Sequence, residues 1–198
     1  MRTRIINLFS FLLIAGGAFF LFWGAGEYIV SRTGQWQAAH DFNRVLRTAP
    51  SVRSSIEMPP PKRGVPFAKL IIPRLEAELY VVEGDDHADL RRGPGHLTGS
   101  ALPGGSGNCI IAGHRDTHFR VLKDIKDGDD IVLQTVSGEY LYRVHLTKII
   151  PPTDTAVLEQ TRTPQLSLIT CYPFYYLGSA PDRFLVRARL TGIVRRTS

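Results

Sequence analysis

A chain of 198 residues, 43% apolar and 21% charged, fits one domain with appendages and excludes a disordered or collagen-like polymer. Its two cysteines are too few for a disulfide framework. The net charge of +6 is uneven: residues 1–66 carry 8 Lys+Arg against 3 Asp+Glu, whereas residues 67–198 carry 16 against 15. The excess lies outside the folded part, so the basic balance is poor evidence for a nucleic-acid-binding domain and better fits a basic stalk beside an anionic surface.

Residues Ile5 to Trp23 are almost wholly apolar, with Asn7 and Ser10 the clear polar exceptions. As a helix this run spans roughly 28 Å, about the hydrocarbon thickness of a bilayer. Arg2 and Arg4 precede it; Trp23 and Tyr28 follow it, where interfacial aromatics belong. A cleaved signal peptide would have a shorter apolar core, and no convincing small-x-small site stands before Glu27. The expectation is a single-pass anchor over 5–25, with residues 1–4 cytoplasmic and the folded domain outside the cytoplasm. Arg32, Arg44 and Arg47 lie on the far flank, but long domains translocate largely regardless of charge.

Residues 26–66 read as a juxtamembrane helix and a linker. Trp36, Ala39, Phe42 and Leu46 recur at helical spacing within 31–47. Pro50, Pro59, Pro60, Pro61 and Pro66, with several serines, then mark a partly extended spacer expected to hold the domain off the membrane.

From Phe67 to residue 192 the pattern is mainly β: short runs of Ile, Val, Leu and Tyr separated by turn signals. Strands are expected at 68–72, 79–82, 108–112, 130–135, 139–149, 166–170 and 184–190. Ser137-Gly138 predicts a hairpin between the fourth and fifth. Residues 88–92 and 155–160 read as short helices or turns, and 193–198 as a tail. Seven or eight short strands in this length argue for a closed barrel or a sandwich.

The candidate chemistry sits at strand termini. Leu166-Ser-Leu-Ile-Thr-Cys171 is an apolar run ending on a cysteine, and Pro173 stops it. Ala112-Gly113-His114 ends another such run, and Arg183 begins a third. A thiol nucleophile, an imidazole base and a guanidinium are the parts of an acyl-transfer site. If the strands flanking Cys171 and Arg183 form an antiparallel hairpin, these two residues meet; a parallel pairing of 108–112 with 166–170 would bring in His114. A cationic neighbour favours the thiolate. A guanidinium cannot act as a base, so Arg183 is assigned to substrate or oxyanion hydrogen bonding and His114 to acid–base work. Cys109, roughly 16 Å away along such a strand, reads as a small buried hydrophobe.

The strings Ile-Ala-Gly-His-Arg-Asp-Thr at 111–117, Leu-Ile-Thr-Cys-Tyr-Pro-Phe at 168–174 and Ala-Pro-Asp-Arg-Phe-Leu-Val at 180–186 resemble the sortase family. The Cys-Tyr-Pro-Phe and Ala-Pro-x-Arg forms look most like class D, and Gly93-Pro-Gly-His96 and Pro103-Gly-Gly-Ser-Gly-Asn108 also match. The resemblance covers about residues 67–192. It implies an eight-stranded sortase-type β-barrel with short helices, preceded here by the transmembrane helix. It also implies a cysteine transpeptidase that cleaves a C-terminal sorting signal resembling Leu-Pro-x-Thr-Gly and passes the acyl group to an amine in a cell-wall peptide or protein. In that frame Cys171 is the nucleophile, His114 the general acid/base and Arg183 the oxyanion or substrate ligand. Donors would be secreted proteins carrying the signal. No cofactor and no nucleic acid are expected.

Thr170, Tyr172, Phe174 and Tyr176 are further candidates for substrate binding, with Tyr175 in the same aromatic run; part of that run would equally cap a barrel. His114, Asp116 and His118 on one strand face, with Cys171, would make a zinc site, but Arg183 near the thiolate opposes a cation, and no metal is expected. Asp116 is expected to pair with Arg115 or Arg120, and His118 to lie in a loop. Glu83, Asp85, Asp86 and Asp89 lack calcium-loop spacing and read as a solvated loop. Two rival readings stand: a hydrolytic cysteine peptidase using water as acceptor, and a membrane-tethered barrel that binds without catalysis.

Overall fold

The computed structural model describes residues 2–48 and 60–195. Helix α1 runs unbroken over Arg2–Thr48. Eight strands follow: β1 (Pro66–Ile72), β2 (Ala77–Glu83), β3 (Gly95–His96), β4 (Asn108–Gly113), β5 (Asp130–Thr135), β6 (Gly138–Ile150), β7 (Gln165–Tyr172) and β8 (Asp182–Arg195). A short helix α2 (His87–Arg92) precedes β3, and 3-10 turns occupy Pro73–Leu75, His118–Asp124 and Thr155–Leu158. The expected hairpin at Ser137-Gly138 joins β5 to β6.

The strands close into a barrel in the order β1-β2-β3-β4-β7-β8-β6-β5. Closure leaves no long open edge for another chain to pair with. Strand parity fills the interior: Leu166 and Leu168 of β7 pair with Ala188 and Val186 of β8, and all four are buried in one apolar core with Cys109, Ile111 and Leu133. Residues opposite each other in a ladder share a face. The alternate set, Ile169 with Leu185, therefore lies outside the barrel, where both join Ile150 and Val157 in a second small cluster. The 3-10 turn at 155–158 thus lies over the outer face of β7 and β8.

β3 falls outside the seven strands read from periodicity, because two residues carry no period; it nonetheless bridges β2 and β4. The expected tail is also shorter than read, since 193–195 continue β8 against Gly138–Tyr140; 196–198 lie outside the described residues.

α1 changes the reading of the linker. Its C-terminal half packs on β1, β2 and α2. Ala38 and Phe42 are fully buried there, and Phe42 meets Tyr80 edge to face at 5.8 Å. The Gln35 amide accepts from the Tyr80 backbone N–H at 2.8 Å and donates to the Tyr80 carbonyl at 3.1 Å, so one side chain satisfies the part of the β2 edge that two-residue β3 leaves open. Gly34 lies so close to Arg92 that an added Cβ would stand 2.9 Å from the Arg92 Cα. The helix touches the barrel before the proline-rich segment begins, so that segment is not what separates the barrel from α1. Of that linker, residues 49–59 lie outside the described residues. Among the described residues no helix is long and apolar enough to cross a membrane. The expected span 5–25 includes residues 5, 6, 8 and 23–25, whose side chains are outside the description.

The acidic cluster is not a uniformly solvated loop. Glu83 is 5% exposed and bonded to His96 Nδ1 at 2.6 Å and to the Thr98 hydroxyl at 3.0 Å. Asp86 caps α2 by accepting from the Asp89 N–H at 2.9 Å, and Asp89 is itself buried beside Arg63. The pattern of charges in sequence cannot distinguish a buried carboxylate with partners from a solvated one.

Candidate active site

Three strand termini lie at one level of the barrel. Cys171 pairs directly with Arg183 in the antiparallel β7–β8 ladder. β4 runs parallel to β7 and its last pair is Gly113 with Thr170, so His114 leaves β4 level with Cys171. Thr170 pairs with the core residue Phe184 and is itself buried. Cys171, one position on, takes the opposite, outer face, as Ile169 does two positions before it. Cys171 is half-buried and free of any disulfide, whereas Cys109 is sealed inside the barrel. Burial there pushes the Cys109 thiol well above the ordinary range, so it stays a protonated packing residue.

The end of β4 is held from two sides. The Thr170 hydroxyl donates to the Gly113 carbonyl at 2.6 Å. The Phe119 ring packs so tightly over Gly113 that a Cβ there would lie 2.7 Å from it. Only glycine fits immediately before His114. The next 3-10 turn returns over this glycine, with the Phe119 N–H donating to the His114 carbonyl at 2.9 Å. The Thr170 proton is thereby committed to positioning β4.

The loop between β7 and β8 is tied down by arginines. Arg183 Nη1 donates to the carbonyls of Asp182 at 2.9 Å and Ala180 at 3.3 Å. Arg115, directly after His114, donates to the carbonyls of Tyr176 and Gly178, each at 2.9 Å, and stands 5.8 Å from the centre of the Tyr176 ring. Arg120 lies 5.2 Å from the Tyr175 ring, and its hydrogen bond draws the Tyr175 phenol below its usual range, with Lys123 adding to the effect. Arg115 and Arg120 thus engage this loop, and Asp116 is exposed.

The aromatic run divides. Phe174 packs against the core and meets Phe184 at 5.3 Å and Tyr172 at 6.0 Å, while Tyr172 stacks on Phe184 at 6.3 Å. Tyr175, Tyr176 and Leu177 are exposed at the loop tip. Phe174 and Tyr172 therefore cap the barrel beside Cys171, and Tyr176 is the candidate that faces solvent.

His114, Asp116 and His118 do not share a strand face, because β4 ends at Gly113. His118 begins the 3-10 turn and is buried, against the loop position expected. Burial pushes its imidazole down to about 4; the charge of His114 acts the same way, while a hydrogen bond with the Arg91 backbone opposes. Among the described residues no group of three His, Cys, Asp or Glu could hold a metal ion.

A model of the sortase domain matches residues 70–191. The chain belongs to the sortase family. Sortase D of Bacillus subtilis (strain 168) is 40% identical over 127 residues, which is 64% of this chain and 64% of that protein. The chain thus matches just under two thirds of that relative's length. The structure of a Clostridium perfringens Sortase D5 transpeptidase superposes with a TM-score of 0.68 at 25% identity, over 81% of this chain and 99% of the other. The catalytic domain of B. anthracis SrtD gives a TM-score of 0.61 at 35% identity, over 73% and 99%. Family and barrel agree with the reading of the three motifs.

The periodicity of the sequence missed the roles of Gly113, Arg115 and His87 around this site. The Gly-His-Arg order was a usable signal for the first two: a glycine before a candidate base and a cation after it. His87 carries no such signal, lying at the start of α2, well before His114 in sequence.

Proposed function

We propose that this chain is a membrane-anchored cysteine transpeptidase. It cleaves a C-terminal sorting signal resembling Leu-Pro-x-Thr-Gly and transfers the acyl group to an amine of a cell-wall peptide or protein. The observation that carries the reading is the register: Cys171 opposite Arg183, with His114 leaving the neighbouring parallel strand at the same level.

The chemistry balances with these three groups. The Cys171 thiolate attacks the signal's scissile carbonyl, and Arg183 donates hydrogen bonds to the oxyanion or the substrate backbone. His114 gives a proton to the departing amine as the C–N bond breaks, leaving a thioester. An incoming amine attacks the thioester, His114 takes its surplus proton, and Cys171 leaves as thiolate. Tyr176 is the exposed one of the three candidate aromatics and would touch substrate; Thr170 acts on His114 through Gly113.

The anchor reading rests on α1. Phe9, Phe11, Leu12, Leu13, Ile14, Phe19, Phe20, Leu21 and Phe22 are all exposed. Large apolar side chains exposed in a row along a helix favour lipid over water as their surroundings. Arg2 and Arg4 favour a cytoplasmic N-terminus and an extracytoplasmic barrel.

The test uses the full chain in detergent micelles, a library of sorting-signal peptides, and amine acceptors present or absent, followed by mass spectrometry. The expected result is a thioester on Cys171 and a product that requires the amine. Hydrolysis at a rate no amine changes would establish a peptidase instead. Absence of any adduct with every peptide would reject both enzyme readings.

A further inference from the structure

His87 is the first residue of α2, and its ring meets the His114 ring edge to face, 6.1 Å between centroids at 73°. A second imidazole at this distance from a candidate acid–base residue does two things. Its ring restricts the tilt of its partner. Its charge, when it carries a proton, opposes a proton on the partner.

The element presenting His87 is held firmly. Asp86 caps α2, and Arg63 pairs with Asp86 at 2.7 Å. Arg92 donates to the Gly64 carbonyl, and the Arg92 carbonyl accepts from Gln35 of α1 at 2.8 Å. α2 therefore packs between α1 and β2, with His87 exposed at its first turn.

We propose that His87 is a positioning residue for His114, fixing the orientation of that ring and, through its own charge, the pH range over which His114 exchanges protons. The proposal rests on the reading of His114 as the acid–base group. On the α2 side, Asp86 and Asp89 pair with Arg63, and Asp85, Arg91 and Arg92 lie on the same segment. On the barrel side, His118 couples electrostatically to His114 and Asp116 and is neutral at physiological pH, and the Cys171–Arg183 pair lies level with the end of β4. His87 thus sets a second ionisable imidazole in ring contact with His114.

The test combines two readouts on the wild-type chain and the variants H87F, H87K and H114A, with folding checked by circular dichroism. The first is an NMR titration of the His114 ring. H87F, which keeps a ring and removes the charge, should raise the His114 midpoint by about half a unit to one unit; H87K, with a permanent charge, should lower it. The second is the pH profile of kcat/KM, whose His114-dependent limb should move with the NMR midpoint, with H87F keeping at least about a third of the maximal rate and H87K falling several-fold. An unmoved His114 midpoint in both variants overturns the proposal. Full activity of H114A overturns the reading of His114 instead, and leaves the NMR coupling as an independent measure of the contact.

Discussion

Cys171 and Arg183 are directly opposed residues of one antiparallel ladder, so their separation is set by backbone hydrogen bonding and not by side-chain flexibility. Side chains so paired have Cβ atoms about 5 Å apart. R183A should lower kcat/KM by about 10²–10³-fold, the usual loss on removing an oxyanion donor. C171A should abolish thioester formation. Melting temperatures should stay within a few degrees of wild type, measured by scanning calorimetry; R183K tests whether the planar fork is required.

The Thr170 hydroxyl fastens Gly113, and Gly113 carries His114. T170V keeps the shape and leaves a buried carbonyl with one partner fewer, at about 1–2 kcal/mol. Turnover should fall about tenfold more than stability alone accounts for, because the base loses its support. Urea unfolding and kcat on T170V and T170S check this: serine should restore both.

Arg115 spans from the β4 terminus to the loop after Cys171. In R115Q the amides of residues 174–180 should exchange with deuterium at least about tenfold faster, as local opening becomes easier, while the barrel strands keep wild-type protection. Unchanged exchange in that loop would show that Arg183 and Arg120 suffice to hold it.

α1 contributes to barrel stability through Phe42 and Gln35. Deleting a buried phenylalanine side chain costs about 3–5 kcal/mol in a core, so F42A should speed exchange over 34–46 and strip protection from the Tyr80 amide, whose acceptor is Gln35. Hydrogen exchange followed residue by residue distinguishes this docking from a loose tether, under which Tyr80 protection would not change.

His118 makes stability depend on pH. Its folded value is about 4, below the ordinary 6.5, so the unfolded chain binds the extra proton between these limits. The contribution is present in full above about pH 6.5 and is lost as pH falls toward 4, amounting to about 2–3 kcal/mol. Urea unfolding at pH 7.0 and 4.5 should show this drop in the wild type and a shallower one in H118Q.

Most strands were legible because one face of each is buried, which forces alternation at period two. β3 was not, because two residues have no period. The bulge at His145 in β6 was hidden too: it inserts one residue between Val144 and Leu146 and reverses which face the rest of the strand presents. The aromatic run after Cys171 was ambiguous for a similar reason. Phe174 and Tyr176 differ by two positions in a loop, where spacing no longer decides which side chain meets the core.

By itself the sequence determined the three chemical groups, their places at strand ends and the apolar N-terminal run, because residue chemistry and local periodicity are written along the chain. Only the tertiary structure decided that Cys171 faces outward opposite Arg183, that Thr170 and Phe119 grip the turn before His114, and that α1 and α2 bring His87 against that imidazole. Those relationships depend on the register between strands distant in sequence and on which helix covers which edge, and both are set by closing the barrel.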